Sequence, residues 1–335
     1  MLARQGGDAA ANLRALASQV HPVFMLPAIA VSLFGGLLAP TFAWHVAGVH
    51  AVAVFCGLYT AHVADGYVDF YHRGEDTDHL LTAAGCRFAL AGATVGFVGC
   101  LLALWALVGF DAVLITAPGW LIGYHHAPQL DMHPVTATLG YPAGIALALF
   151  GGYFVQSGTL PIHLLAYATI FFVTLAGVKV IDDSTDYEYD RSIEKRTVAV
   201  ALGRARARQF AHGLLYAGLT LVVVFTVDGT FPPAAPIAAV AFGVVALCSA
   251  RADAELATML LVRGAYVFLA LLVVAVWFRP LAGVPLPDIG VLGPYTYLAT
   301  EVAFGALAVA LLVRADAVWR ALRTILVLYP LAFVW

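Results

Sequence analysis

"LPIHLLAYATIFFVTLAGVKVIDDSTDYEYDR", residues 160–191, joins a run of apolar side chains to a segment that holds five acidic residues. A helix that crosses a bilayer needs about 20 predominantly apolar residues. Residues 160–180 supply that length, with Lys179 as their single Lys, Arg, Asp or Glu. The stretch reads as a membrane span that ends in concentrated negative charge. Carboxylates gathered at a membrane boundary repel one another and are costly unless cations are held among them.

The rest of the chain has the same character. Hydrophobic residues make up 62% of the 335 positions and charged residues 11%, and the mean hydropathy is +0.90. This is too apolar for a domain whose whole surface faces water. Runs such as "VFMLPAIAVSLFGGLLAP" and "YVFLALLVVAVWF" recur from end to end, and roughly nine to eleven of them are long enough to span. They do not alternate polar with apolar residues, so a transmembrane β-barrel is excluded. The predicted fold class is all-α: a polytopic membrane helical bundle of about nine core transmembrane helices plus roughly two C-terminal ones.

No long polar linker divides the chain, which predicts one membrane-embedded domain over residues 1–335, with its core at about 15–280 and the extra helices at about 290–335. The first 20 residues lack the pattern of a signal peptide and read as an interfacial helix leading into the first span. Cys56, Cys86, Cys100 and Cys248 lie scattered in apolar surroundings with no C-x-x-C pair, and read as core residues. A net charge of −3, with basic residues spread among loops, argues against a nucleic-acid partner.

The distribution of basic residues predicts sidedness. Arg4, Arg14, Arg73, Arg191, Lys195, Arg196, Arg204, Arg206, Arg208, Arg251, Arg314, Arg320 and Arg323 fall on one side of the predicted spans, and essentially only Arg279 on the other. The positive-inside rule places the rich side, with the acidic segment, in the cytoplasm of a multi-pass cell-membrane protein.

A second acidic segment falls on the same side. "HVADGYVDFYHRGEDTDH", residues 62–79, follows the second apolar run. Asp65 and Asp69 are four residues apart, so on a continuing helix they stack one turn apart. In the later segment Asp183, Asp186 and Asp190 are spaced by three and then four residues, which predicts a second carboxylate ridge on one helical face. The two ridges are expected to face each other across the bundle. Mg²⁺ suits such a site, because it takes oxygen ligands and keeps positions for water and substrate phosphates. Lys179, Arg191, Lys195 and Arg196 lie nearby, and this mixture of acids and bases suits a metal-bridged polyphosphate.

At this point the residues resemble a known family. "DDSTDYEYDRSIEKRTVAVALG" resembles the second aspartate-rich motif of the UbiA-type intramembrane prenyltransferases, through Asp183, Asp186, Asp190, Arg191, Thr197, Leu202 and Gly203. "AHVADGYVD" resembles the last two aspartates of the first motif through Asp65 and Asp69. "YHHAPQLDMHPVTATLGYPAGIALALFGG" resembles the segment after the fourth helix through Tyr124 and Pro128. The resemblance implies an enzyme that binds an isoprenyl diphosphate through two Mg²⁺ ions, ionises it to an allylic cation, and lets a lipophilic acceptor capture that cation within the membrane. It implies that Asp65 and Asp69 hold one metal and that Asp183, Asp186 and Asp190 hold the other. Lys179, Arg191, Lys195, His62 and Tyr124 are the implied substrate contacts.

The chain departs from the pattern in places. Ala61 and His62 stand where the first motif begins with Asn-Asp, and "RGEDTDHLLTAAG" replaces a basic Arg-Pro stretch. After the fourth span, Gln129 and Asp131 stand where relatives that use anionic acceptors often carry Arg or Lys. An acid there is expected to disfavour a carboxylated or phosphorylated acceptor. Two rival readings use the same residues. His62, Asp65 and Asp69, with His125 and His126, can be drawn as a transition-metal site of an intramembrane metal or proton transporter. The altered first motif also fits a catalytically silent relative that binds a prenyl lipid.

Overall fold

The computed structural model describes residues 2–75 and 78–284. The two helices expected at about 290–335 lie outside the described residues. Among the described residues the chain is all-helical, with no strand and a single isolated bridge, Ala3 to Leu81. Helices are the expected outcome for apolar segments in lipid, because they satisfy every backbone N–H and C=O within the segment.

In chain order the helices are α1 (Ala9–Ala17), α2 (Pro22–Leu38), α3 (Trp44–Val68), α4 (Ala83–Leu107), α5 (Phe110–Tyr124), α6 (Pro134–Ser157), α7 (Leu164–Asp182), α8 (Tyr187–Ser192), α9 (Val198–Leu202), α10 (Arg204–Val227), α11 (Ala235–Ser249) and α12 (Ala254–Trp277). Wider π-helical turns follow α3 at Asp69–Arg73 and α5 at His126–Leu130. Among the described residues six helices are long and apolar enough to cross a membrane: α3 with its π turn, α4, α6, α7, α10 and α12. The pair α1 and α2, bent by 67°, makes a seventh if counted as one span. α5 and α11 are apolar but have only 15 residues each, so among the described residues length and composition alone give six or seven spans where about nine are expected for the core.

The described residues fall into two compact units. One comprises residues up to Asp131 together with Ala143–Leu160, and the other Met132–Pro142 together with residues from Pro161 onward. In the first unit α3 packs against α2, α4 and α5. Gly123 of α5 lies directly on α3, where a Cβ would come within 2.4 Å of the Gly57 carbonyl oxygen. A small residue at that crossing lets the two backbones touch and fixes the segment after α5 against the α3 helix. The N-terminal strand-like segment braces the same unit. Arg4 N–H donates to the Leu80 carbonyl at 2.9 Å, Thr82 N–H donates to the Leu2 carbonyl at 2.8 Å, and the Arg4 guanidinium lies 4.3 Å from the centre of the Phe70 ring.

In the second unit α7 packs on α10 and α12, and α11 packs on α10 and α12. Gly177 makes the α7–α10 contact close, since a Cβ there would meet the Ala211 carbonyl oxygen at 2.8 Å. The most apolar window of α7 is 72% buried, whereas that of α4 is only 17% buried. α4 turns Phe88, Val95, Val98, Leu102 and Trp105 outward, as a lipid-facing helix does. Capping side chains set the ends: Thr82 accepts from Gly85 N–H at the start of α4, and Asp253 accepts from Leu256 N–H at the start of α12.

Candidate active site

The first acidic segment sits where α3 passes into its π turn. Asp69 keeps right-handed helical dihedrals, φ −67° and ψ −40°, and its N–H bonds to the Asp65 carbonyl, so the two aspartates stack one turn apart. Gly74, at φ +66°, ends the turn in a conformation that glycine adopts at no steric cost. The π turn places Arg73 over Asp69. One nitrogen, Nη1, donates to Asp69 Oδ1 at 3.0 Å and to Asp131 Oδ2 at 2.6 Å. All three side chains are largely buried, with exposures of 9% for Arg73, 16% for Asp69 and 8% for Asp131. Charged groups removed from water are tolerated only when paired, and this guanidinium supplies the pairing.

That geometry corrects one expectation. Asp131 is paired with a cation that it shares with Asp69, so its charge is partly offset, which weakens the argument against an anionic acceptor.

The second acidic segment departs from the expected ridge. α7 ends at Asp182, a turn occupies residues 183–186, and a new short helix, α8, begins at Tyr187. Asp183, Asp186 and Asp190 therefore do not line one continuous helical face. Local chemistry explains the break. Ser184 Oγ donates to the Val180 carbonyl at 2.8 Å and Thr185 Oγ1 donates to the Asp182 carbonyl at 2.7 Å. Such side chains compete with the helical ladder, and adjacent carboxylates add repulsion.

Two lysines offset part of the charge that the turn gathers. Lys179 Nζ donates to Asp182 Oδ2 at 3.0 Å and lies 2.6 Å from Asp183 Oδ1. Lys195 Nζ lies 3.3 Å from Asp190 Oδ1, and Asp190 is only 1% exposed. Glu194 makes the second pairing possible. Its left-handed backbone, φ +59°, reverses the chain so that Lys195 N–H also bonds to the Asp190 carbonyl at 2.9 Å. Burial raises the carboxyls of Asp183 and Asp190 above their ordinary range despite the lysines, and neighbouring Asp182 and Asp186 push in the same direction.

The remaining predicted residues are scattered. Asp186 and Arg191 are exposed on and beside α8. His62, one helical turn before Asp65, stacks on His21 with ring centres 4.6 Å apart. Tyr124 stacks on Trp120 at 4.8 Å. Asp182 lies outside the ridge expected from the three-and-four spacing, and Arg73 enters the sequence pattern only through sidedness. The four-residue spacing from Asp69 to Arg73 was the available signal. Nothing local marked Asp131 as Arg73's other partner, 58 positions away.

No three His, Cys, Asp or Glu side chains converge well enough to hold a metal by themselves among the described residues. The donor set nevertheless fits Mg²⁺. Its donors are carboxylate oxygens, and Asp183 Oδ2 is buried without a hydrogen-bond partner, a costly arrangement that a cation would relieve. Mg²⁺ is usually bound by one or two carboxylates together with water and substrate phosphates, so a half-complete protein shell suits it.

Comparison with known proteins is consistent with this chemistry. The sequence pattern of the UbiA prenyltransferase family matches residues 32–256, and the chain belongs to that family. Solved structures share its fold. A digeranylgeranylglyceryl phosphate synthase superposes with a TM-score of 0.63 at 12% identity, covering 79% of this chain and 98% of the other. A UbiA homologue from Aeropyrum pernix K1 gives 0.64 at 15% identity, covering 76% and 98%. A UbiA homologue from Archaeoglobus fulgidus, bound to GPP and Mg²⁺, gives 0.58 at 14% identity, covering 79% and 99%. No curated protein matches the chain by sequence.

Proposed function

We propose that the protein transfers a prenyl group from an isoprenyl diphosphate to a lipophilic acceptor within the membrane, with two Mg²⁺ ions bound at its acidic segments. The observation that carries this reading is the second segment, where buried Asp183 and Asp190 are held beside Lys179 and Lys195 at the end of an apolar helix. Membership of the family and the Mg²⁺ and GPP in the Archaeoglobus relative support it. In this reading Asp65 and Asp69 hold one ion, and Asp183, Asp186 and Asp190 the other. Bound Mg²⁺ supplies positive charge to the diphosphate oxygens as the C–O bond breaks.

The chain's own residues do the rest. Lys179, Lys195 and Arg191 are cations placed to take up diphosphate oxygens once metal relieves their carboxylates. His62 and Tyr124 border the substrate, and the apolar helices keep the prenyl chain and the allylic cation away from water. The acidic segments face the cytoplasm in this reading, and the donor and acceptor arrive through the lipid.

The reading is tested by incubating the purified protein in lipid with labelled geranylgeranyl diphosphate, Mg²⁺ and a membrane lipid extract. Label in a new apolar product is expected. Tight binding of the diphosphate without any product from a complete extract would instead favour a silent lipid-binding relative, a reading supported by the cations already seated on Asp69 and Asp183.

A pH dependence follows from the raised carboxyls. Below their folded pKa, Asp183 and Asp190 carry protons that a metal must expel. Mg²⁺ affinity is therefore expected to fall as pH drops through that raised range, at higher pH than for an exposed aspartate. The stability of the metal-free protein should run the other way. An acid whose folded pKa exceeds its unfolded value favours the fold at low pH, and that contribution is lost as pH rises from the unfolded value to the folded one. Calorimetric Mg²⁺ titrations in buffers of different ionisation enthalpy check the first point through net proton release, and melting curves at several pH values without metal check the second.

A further inference from the structure

Arg73 is held by two carboxylates from different parts of the chain through the same nitrogen, and the two contacts are unequal. Asp131 lies 2.6 Å from Nη1 and Asp69 lies 3.0 Å from it. Asp131 is on fixed backbone, because its N–H bonds to the His126 carbonyl at 3.0 Å and the preceding helix is seated on α3 at Gly123. Asp69 is one of the two aspartates assigned above to a metal. A divalent cation on Asp69 brings its charge against the Arg73 guanidinium, 3.0 Å from Oδ1, so metal binding weakens that contact by like-charge repulsion.

We infer that Arg73 is an exchangeable internal counter-ion of the first acidic segment, and that Asp131 is the positioning residue that retains the guanidinium when a divalent cation takes Asp69. This rests on the metal-site reading of Asp69 given above. Arg73 offsets part of the charge of the two buried carboxylates in the absence of metal, which lowers the cost of burying them. Asp131 lowers the cost of exchange, since it gives the displaced cation a partner already in contact. The unusual acid after α5 thus acts on metal loading at the first segment.

The experiment is a Mg²⁺ titration of the full-length protein in lipid, with no diphosphate present, read by calorimetry and by the shift in melting temperature. Asp69→Asn identifies the part of the response that belongs to the first segment. Arg73→Gln removes the competitor and is expected to tighten that part on the order of tenfold, the effect of deleting one hydrogen bond to a charged group. Asp131→Asn leaves Arg73 to Asp69 and is expected to weaken it by a similar factor.

A purely electrostatic effect of the two charges would have the same signs, so the Arg73→Gln/Asp131→Asn double variant decides. With exchange, Asp131→Asn has no effect once Arg73 is absent. With a field effect alone, the two changes add. Additivity, or an Arg73→Gln variant that binds Mg²⁺ no more tightly than the wild type, would overturn the inference. The double variant leaves one carboxylate without its cation where Arg73→Gln alone leaves two, so it is the less destabilised of the two variants and its comparison with Asp131→Asn is read if Arg73→Gln does not fold. Failure here leaves Mg²⁺-dependent diphosphate release untouched, whereas failure of the prenyl-transfer reading abolishes release and leaves the Mg²⁺ titration readable.

Discussion

Replacing Asp186 with alanine is expected to lower Mg²⁺-dependent diphosphate release by about a thousandfold while leaving the fold intact. Two features separate the chemical loss from a folding defect. Asp186 is exposed at the start of α8 and its side chain makes no capping hydrogen bond there. Exposed substitutions without such contacts usually change stability by about 0.5 kcal/mol or less. Loss of one group that organises charge around a leaving oxygen, by contrast, costs about two to three orders of magnitude in rate. Release measured from single turnovers, together with a melting curve of the variant, checks both halves. Wild-type release with a normal melting temperature would remove Asp186 from the metal site.

Lys179→Met is expected to produce the largest change in stability. Lys179 contacts both Asp182 and Asp183, and the Asp183 side chain is only 4% exposed. Removing one partner of a buried ion pair leaves an uncompensated charge, which costs about 3 kcal/mol. That is a large fraction of the stability of an ordinary domain.

Mg²⁺ should restore much of the loss, because a hard cation can take the vacated place beside Asp183. At a concentration about 100 times its dissociation constant, a ligand that binds only the folded state contributes about 2.7 kcal/mol. Melting temperatures of wild type and variant, each with and without Mg²⁺, are the check. A lysine that merely extends along the membrane boundary would give a small loss that Mg²⁺ does not reverse.

Much of this architecture is legible in the sequence because a bilayer leaves few options. Apolar residues dominate the stretch from 164 to 181, and in lipid a helix satisfies its backbone, so α7 forms there with its apolar window mostly buried. The stacking of Asp65 and Asp69 was legible for a similar reason, since α3 continues in helical geometry to Asp69. The second segment was read too simply. Its three-and-four spacing presumes a continuous helix, yet Ser184 and Thr185 bond back to the helix end and the chain turns. Those two residues were the signal, and the acidic periodicity on either side outweighed it.

Ion pairing was legible only over short distances. Lys179 to Asp183 and Arg73 to Asp69 are four-residue pairs that helical geometry predicts. Arg73 to Asp131 depends on how α5 seats on α3, which local periodicity does not encode. The acid after the fourth span therefore read as a charge facing the acceptor, although its carboxylate is turned to an arginine. Lys195 reaches Asp190 only because Glu194 takes a left-handed conformation that few sequences advertise.

The measurement that bears most directly on the central claim is diphosphate release from geranylgeranyl diphosphate by the purified protein in lipid, with Mg²⁺ and with the metal chelated. Release that requires Mg²⁺ and follows the amount of protein is the predicted result. Absence of both release and Mg²⁺-dependent binding of the diphosphate would contradict the account and leave the acidic segments to be explained as an ion path.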